Sequence, residues 1–217
     1  MRNIDVYRDP FGEGFSLTRA DKISIEPGLT VLVGCNGAGK TTMLNNIEDE
    51  LQKADIPVFR YSEVEVRSVI RDNALMHGDM TFVAQSSLSS EGENISLNLG
   101  KYLPQMKYFI ETGKQSAKAR GTVMSNERWI LLDAVDSGFS IDNILEFKNI
   151  FDLMSKTAKS VDAVLYIVAS ANAYEFANGE DCIDIFSGEH IRFSSYDEYR
   201  EFILKTRELK KERYENC

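Results

Sequence analysis

The sequence is poor in features that stabilise an exported chain or anchor one in a membrane. Its three cysteines, Cys35, Cys182 and Cys217, are an odd number without paired spacing, which argues against a disulfide framework and a zinc site. The longest apolar runs, such as 163–169, have the length of a strand and are too short to span a bilayer. The N-terminal stretch MRNIDVYRDPFGEG contains no apolar signal segment. We therefore expect a cytoplasmic protein with reduced thiols and no membrane insertion.

Positive charge is also scarce. The sequence has 25 Lys and Arg residues against 34 Asp and Glu residues, for a net charge of −9. Such a balance argues against a surface that binds nucleic acid through its overall charge. One exception is the segment 101–120, which is either a solvated face or a local contact for an anionic partner such as nucleic acid. Against the single acid Glu111, its basic residues are Lys101, Lys107, Lys114, Lys118 and Arg120.

Repeats and Pro-, Gly- or Ser-rich linkers are absent from the sequence, so we expect one domain over 1–217. Apolar strand patterns alternate with helical ones, which predicts an α/β fold with a mostly parallel sheet and flanking helices. A proline at 104 is expected to kink or divide the helix that begins near Ser90. The stretch 23–34 is predicted to turn at Pro27-Gly28 and then to form an apolar strand. The other predicted strands are 57–62, 80–85, 129–135 and 163–170, with a hairpin at 182–193 and helices at 40–53 and from 196 onward.

The strongest signal is the string GCNGAGKTT, which matches G-x-x-x-x-G-K-[ST] between a predicted strand and a predicted amphipathic helix. In such a loop, glycines let backbone N–H groups surround phosphates, and the helix N-terminus adds a favourable dipole. Lys40 is expected to reach the terminal phosphates, and the Thr41 hydroxyl to ligate Mg²⁺. The predicted phosphate site consists of Gly34, Cys35, Asn36, Gly37, Ala38, Gly39, Lys40, Thr41 and Thr42.

A second signal is the stretch WILLD, in which four apolar residues precede Asp133. A phosphate loop needs a carboxylate at the end of a neighbouring strand to complete the magnesium shell. The alternative role of Asp133 is to cap the end of its strand. We predict that Thr41 and Asp133 hold Mg²⁺ for a bound ATP.

The stretch GLTVLVGCNGAGKTTML, at 28–44, resembles the nucleotide loop of ATP-binding-cassette (ABC) ATPases. It is most similar to the soluble, non-transporter branch, which includes SMC and DNA-repair heads and small AAA-like ATPases of phages or bacteria. The resemblance extends over about 1–45, 80–100 and 125–195. It implies a P-loop NTPase fold with a reduced helical subdomain at about 88–128.

Further residues follow the order of that family. Gln85 lies where the resemblance implies a glutamine that contacts Mg²⁺ and the attacking water. The string LSSEGE resembles the family's signature, with Ser90, Gly92 and Glu93 at matching positions and Glu91 in place of a glycine. The same string is also a helix capping box. If it is the signature, the active unit is a head-to-tail homodimer with two ATP molecules between its subunits.

The residue that stacks on adenine is left open among Tyr7, Phe11 and Phe15, each of which is also a plausible core residue. Cys35, inside the loop, is either a redox-sensitive thiol at a helix N-terminus or simply a small tolerated side chain.

Two departures from the family concern catalysis. Ala134 stands where the resemblance implies a glutamate base, and Ala171 and Asn172 stand where it implies the switch histidine. Asp136 is a candidate substitute that orients water, or it caps the following turn. Asn172 is a candidate donor to the γ-phosphate, or it bonds within its own loop. Loss of a general base costs about 10²–10⁴-fold in rate, which leaves room for a slow ATPase.

Three functions are therefore compatible with the sequence. The first is an ATPase that dimerises on Mg-ATP, hydrolyses it slowly with an atypical base and drives a conformational switch. The second is a non-hydrolysing, ATP-gated module that acts on a protein partner. The third is a P-loop kinase of nucleotides or small molecules, with Lys114, Lys118 and Arg120 as a lid over the phosphates.

Overall fold

The computed structural model describes residues 1–9, 17–62, 91–115, 125–136 and 139–215. The strands in this part are β1 (Arg2–Asp5), β2 (Lys22–Ile25), β3 (Gly28–Val33), β4 (Val58–Ser62), β5 (Glu127–Asp133), β6 (Val164–Ser170), β7 (Asp181–Asp184) and β8 (His190–Ile191). The helices are α1 (Lys40–Lys53), α2 (Glu91–Thr112), α3 (Ile141–Ser160), α4 (Tyr174–Ala177) and α5 (Tyr196–Glu215).

The central sheet has the strand order β4-β5-β6-β3-β7-β8. The first five strands in this order run parallel, and β8 pairs antiparallel with β7 at the edge. Because parallel strands end at the same edge of a sheet, Gly34, Asp133 and Ser170 meet there. Strand β6, which ends at Ser170, lies between β3 and β5 in the sheet.

Alternation of apolar side chains along the buried strands gives the sheet two hydrophobic faces. One face packs against α1, and Trp129 stacks on Tyr166 there with ring centroids 4.2 Å apart. Its buried residues include Leu32, Met43, Leu44, Ile47, Leu51, Leu131 and Val168. The other face packs against α2 and α3. Its buried residues include Val31, Met106, Phe109, Ile130, Leu132, Ile144, Phe147 and Phe151.

The predicted turn at Pro27-Gly28 separates β2 from β3, and β3 is the apolar strand predicted to follow it. Strand β2 lies outside the central sheet and pairs antiparallel with β1. The sequence analysis missed β1, whose four residues are too few to show a clear alternation. Ile4 and Ile23 are buried against the α1 face, so this small sheet extends that core.

The prediction of a mostly parallel α/β sheet with flanking helices is confirmed, and strands 57–62, 129–135 and 163–170 and helix 40–53 appear within a few residues of their predicted bounds. The predicted strand 80–85 lies outside the described residues. Pro104 does not divide α2, which is continuous over 22 residues. A proline removes one ladder hydrogen bond, and buried Met106, Phe109 and Ile110 hold the following turns against the core.

The 88–128 insertion contains α2, while its identity as a reduced ABC-like subdomain stays a prediction, as does the single domain. In the basic segment 101–120, Lys107 is exposed, and its Nζ lies 3.8 Å from Oε1 of Glu111. Lys118 and Arg120 lie outside the described residues. Within the part of the chain that the structure describes, no helix has the length and apolar character needed to cross a membrane.

Candidate nucleotide-phosphate site

The loop 34–39 joins the end of β3 to the start of α1 at the carboxyl edge of the sheet. Lys40 opens α1, and its ammonium folds back over the loop. Nζ donates to the carbonyl oxygens of Gly34 at 2.8 Å and Cys35 at 3.3 Å. It also donates to Oδ1 of Asn172 at 2.9 Å, which joins the loop to the turn after β6.

Lys40 is only 9% exposed. Burial lowers the pKa of its ammonium, while Cys35, Asp136 and Asp133 oppose that effect. A phosphate anion beside the ammonium would favour its charged form further. The position of Lys40 therefore suits an anionic ligand.

The conformation of the loop depends on Gly39, the N-cap of α1, which has a φ of 106°. A β-carbon at this position would lie 2.5 Å from Cδ1 of Leu17. Glycine thus permits both the left-handed backbone and the close packing of Leu17 against the loop.

Three side chains surround the carboxylate of Asp133 at the end of β5. Its Oδ1 accepts hydrogen bonds from the Thr41 hydroxyl at 3.1 Å and from the Ser170 hydroxyl at 2.6 Å. Its Oδ2 accepts a hydrogen bond from Nη2 of Arg60 at 3.2 Å. The predicted pairing of Thr41 with Asp133 is therefore present in the geometry.

The chemistry of these donors fits Mg²⁺. This ion prefers oxygen ligands and is usually held by one or two carboxylates, waters and substrate phosphates. Thr41 and Asp133 supply a hydroxyl and a carboxylate that lie within hydrogen-bond distance of each other. They are the described residues that would hold the ion; Gln85, the third predicted ligand, lies outside the described residues.

The turn after β6 is fixed by Asp136. This residue is 7% exposed, and its Oδ2 accepts the backbone N–H groups of Asn172 at 2.6 Å and Ala173 at 2.5 Å. The hydroxyl of Tyr199 donates to the Asn172 carbonyl at 2.8 Å. Burial, together with the nearby charge of Asp136, raises the pKa of Tyr199. These contacts place the Asn172 side chain beside Lys40.

The other oxygen of Asp136, Oδ1, is buried and has no hydrogen-bond partner among the described residues. The catalytic role predicted for Asp136, orienting water, stays a prediction. Its alternative role as a cap concerns Ser137 and Gly138, which lie outside the described residues.

Ala134 lies at the position expected for a base and lines the site. Its backbone has a φ of 53°, and its N–H donates to the Ser170 hydroxyl at 2.9 Å. A left-handed conformation is uncommon for alanine and costs about 1 kcal/mol. Ser170 thus contacts both Asp133 and Ala134 and holds the end of β5 in place.

These residues enclose a cavity of about 340 Å³ over the loop. It brings together residues from the loop, the ends of β5 and β6, and α5. Its lining residues are Leu17, Asn36, Gly37, Ala38, Gly39, Lys40, Thr41, Thr42, Asp133, Ala134, Ser170, Asn172 and Arg213.

The predicted signature is only partly described. Gly92 and Glu93 lie in the first turn of α2, which begins at Glu91, while Ser90 lies outside the described residues. A helix therefore starts where both the signature and the capping-box interpretations require one. The signature role of Ser90, Gly92 and Glu93 stays a prediction.

Two further candidates have ordinary structural roles in this geometry. Tyr7 is bonded to Asp49 of α1, and burial, followed by that bond, raises the pKa of its hydroxyl to about 12. Phe11 and Phe15 lie outside the described residues, so the adenine contact stays a prediction. Cys35 is 7% exposed and packs in the α1 core, as expected for a small tolerated side chain.

Sequence reasoning missed Arg60, Ser170, Tyr199 and Arg213. Ser170 had a usable signal, because it ends a buried strand parallel to the one that ends at Asp133. The other three reach the site from an outer strand and from the C-terminal helix, and no local pattern marks them.

A mostly parallel α/β sheet with a G-x-x-x-x-G-K-T loop at its carboxyl edge fits the fold of P-loop nucleotide-binding proteins. No family model and no curated protein matches the chain. A solved structure that it resembles is that of a DNA replication initiation factor, with 15% identity and a TM-score of 0.32. The likeness covers 67% of this chain and 32% of that one. A TM-score this low is no evidence of a shared function.

Proposed function

We propose that this chain binds Mg-ATP and hydrolyses it slowly. The observation that carries the proposal is that two sets of contacts line the same cavity. Lys40 lies over the loop that precedes it, and the Thr41 hydroxyl lies 3.1 Å from the Asp133 carboxylate. These are the groups that hold the terminal phosphates and the magnesium shell in P-loop proteins.

We propose the following division of roles at the reacting end of the site. Mg²⁺ supplies charge stabilisation at the phosphate oxygens when bound by Thr41 and Asp133. Lys40 binds the terminal phosphates, and Asn172 donates its amide N–H to the γ-phosphate while its Oδ1 faces Lys40. Asp136 orients the attacking water, and Gln85 assists it.

Steady-state ATP turnover in the presence of Mg²⁺ tests the hydrolytic part. We expect wild type to turn over ATP slowly but measurably above Lys40→Ala, which lacks the phosphate-binding ammonium. Asp136→Ala should fall to the level of Lys40→Ala. If wild type binds ATP tightly yet turns over no more than Lys40→Ala, hydrolysis is ruled out and only binding survives.

The resemblance to soluble ABC ATPases supports a further proposal, that the chain acts as an ATP-dependent head-to-tail homodimer. The helix start at Glu91 would present the N–H groups around Gly92 and Glu93 to the γ-phosphate on the partner subunit. Size-exclusion chromatography with and without ATP and Mg²⁺ tests this. A shift to twice the mass that requires ATP and is absent in Lys40→Ala supports the dimer, and an unchanged monomer contradicts it.

The second candidate function is a non-hydrolysing module whose ATP-gated state is recognised by a protein partner. One observation favours it: Ala134 lines the cavity at the position of the expected base and brings no carboxylate. In this case Asp136 serves only to hold the turn at 172–173. The turnover comparison above separates the two candidates.

A further inference from the structure

The C-terminal helix α5 lies along the site. At one point the Tyr199 hydroxyl donates to the Asn172 carbonyl at 2.8 Å. Two turns further, the buried Thr206 hydroxyl accepts the N–H of Cys35 at 3.1 Å. Lys210 then donates to the Asn36 carbonyl at 3.0 Å. The helix therefore packs against the outside of the phosphate loop.

Arg213 extends this contact into the cavity. Its Nη2 donates to the Leu17 carbonyl at 3.0 Å, and its Nη1 donates to the Ala38 carbonyl at 3.4 Å. Its guanidinium lies over the Phe186 ring, 4.5 Å from the centroid. These contacts hold the guanidinium at the wall of the cavity that Lys40 also lines.

The charge on this face of α5 stands out from its surroundings. Lys210 and Arg213 are three residues apart, so they project from the same side of the helix as Thr206 and meet the loop. Lys211 lies on another side of the helix, and its Nζ lies 2.9 Å from Oε1 of Glu208. In a chain of net charge −9, Lys210 and Arg213 thus place two cations next to the loop that carries Lys40.

Hydrogen bonds from a guanidinium to an ionised oxygen are roughly twice as strong as those to a neutral one. A phosphate in the cavity would therefore compete well with the carbonyls of Leu17 and Ala38 for Arg213. We propose that Arg213 is a nucleotide-binding residue whose guanidinium contacts a phosphate of the bound nucleotide. This inference rests on the proposed binding of ATP.

Equilibrium affinities for ATP, ADP and adenosine, measured on wild type and three variants, test the inference. Arg213→Gln keeps an amide donor for the carbonyls but loses the charge, and we expect it to bind ATP about tenfold to hundredfold more weakly. Arg213→Lys should weaken ATP binding about threefold to tenfold, since lysine lacks the planar fork. Lys211→Gln, the matched control on the same helix, should stay within about twofold of wild type. Adenosine affinity should be the same for all four proteins.

An ATP affinity of Arg213→Gln within twofold of wild type overturns the inference and leaves the proposed function intact. An equal loss for adenosine and ATP also overturns it, because it shows that Arg213 only shapes the cavity. If Arg213→Gln does not fold, the Arg213→Lys comparison decides in the same way. Failure of wild type itself to bind ATP contradicts the proposed function instead.

Discussion

The phosphate-holding part of the site and its reacting end differ in how many of the residues implied by the resemblance to ABC ATPases they contain. In the first part, Lys40, Thr41 and Asp133 are all present. Lys40 donates to the loop, and the Asp133 carboxylate accepts hydrogen bonds from Thr41 and Ser170. At the second, the position after Asp133 is Ala134, and the turn after β6 carries Ala171 and Asn172. The residues expected to hold the phosphates and Mg²⁺ at the loop and at the end of β5 are therefore present, whereas the base and the histidine that the resemblance implies are replaced.

Hydrogen bonds nevertheless fix the turn after β6 at the reacting end of the site. The buried carboxylate of Asp136 accepts two N–H groups from the turn, and Tyr199 bonds the same turn from α5. A buried carboxylate is costly unless it is hydrogen-bonded. This end therefore keeps the geometry around Lys40, although it lacks the proton acceptor that the resemblance implies at position 134.

The largest expected effect comes from restoring a base. Ala134→Glu should raise ATP turnover about hundredfold, at the lower end of the usual contribution of a general base. The backbone at this position already has its left-handed conformation, so the longer side chain adds little strain of that kind. Ala134→Gln has the same shape without a proton acceptor and should remain at the wild-type rate. Equal rates for the two variants would show that the base is not the missing part.

A second effect concerns the contacts that hold the turn. Asp136→Asn should lower the free energy of unfolding by about 1.5–3 kcal/mol, because a charged acceptor of two N–H groups is lost. Chemical denaturation measures this change. Asp142→Asn, at an exposed position in the first turn of α3, is the control and should leave the denaturation midpoint close to that of wild type. An unchanged stability of Asp136→Asn contradicts the structural role of Asp136.

Turnover of Asp136 variants distinguishes a role in orienting water from a role in positioning the turn. If Asp136 orients water, Asp136→Asn and Asp136→Ala should be equally slow, since neither has a carboxylate. If Asp136 only positions the turn, the Asn variant should keep more activity, because its amide oxygen still accepts an N–H.

The smallest expected effect is at Asn172. Asn172→Ala should lower ATP affinity about threefold to tenfold, because one hydrogen-bonding group beside Lys40 is lost. Asn178→Ala is the matched control, since Asn178 is exposed and Lys148 bonds to its backbone carbonyl, which the substitution retains. Tighter ATP binding in Asn172→Ala would instead mean that Asn172 competes with phosphate for the ammonium.

The sequence predicted the loop and the strand that hold the phosphates, but it missed most of the contacts around them. The loop at 34–42 and the strand that ends at Asp133 are short, contiguous patterns, and the structure has both in their predicted places. The bonds of Asp133 to Arg60 and Ser170 depend on which strands are neighbours in the sheet. That order follows from packing between distant segments, which local alternation of apolar residues does not encode.

The C-terminal helix shows the limit most clearly. Its helical pattern from Tyr196 onward was evident, and α5 begins there. Its charged end carries no local signal of a binding surface, because lysine and arginine are common on exposed helix faces. Only the fold reveals that Thr206, Lys210 and Arg213 face the phosphate loop.

Calorimetric titration of ATP in the presence of Mg²⁺, into wild type and into Lys40→Ala, tests whether the loop at 34–42 binds ATP. We expect saturable binding by wild type that weakens at least about thirtyfold in Lys40→Ala, since a charged partner of the phosphates is removed. Lys53→Ala, at the exposed end of the same helix, should bind as wild type does. Absence of binding to wild type, or equal affinity of wild type and Lys40→Ala, would contradict the claim that this loop is an ATP site.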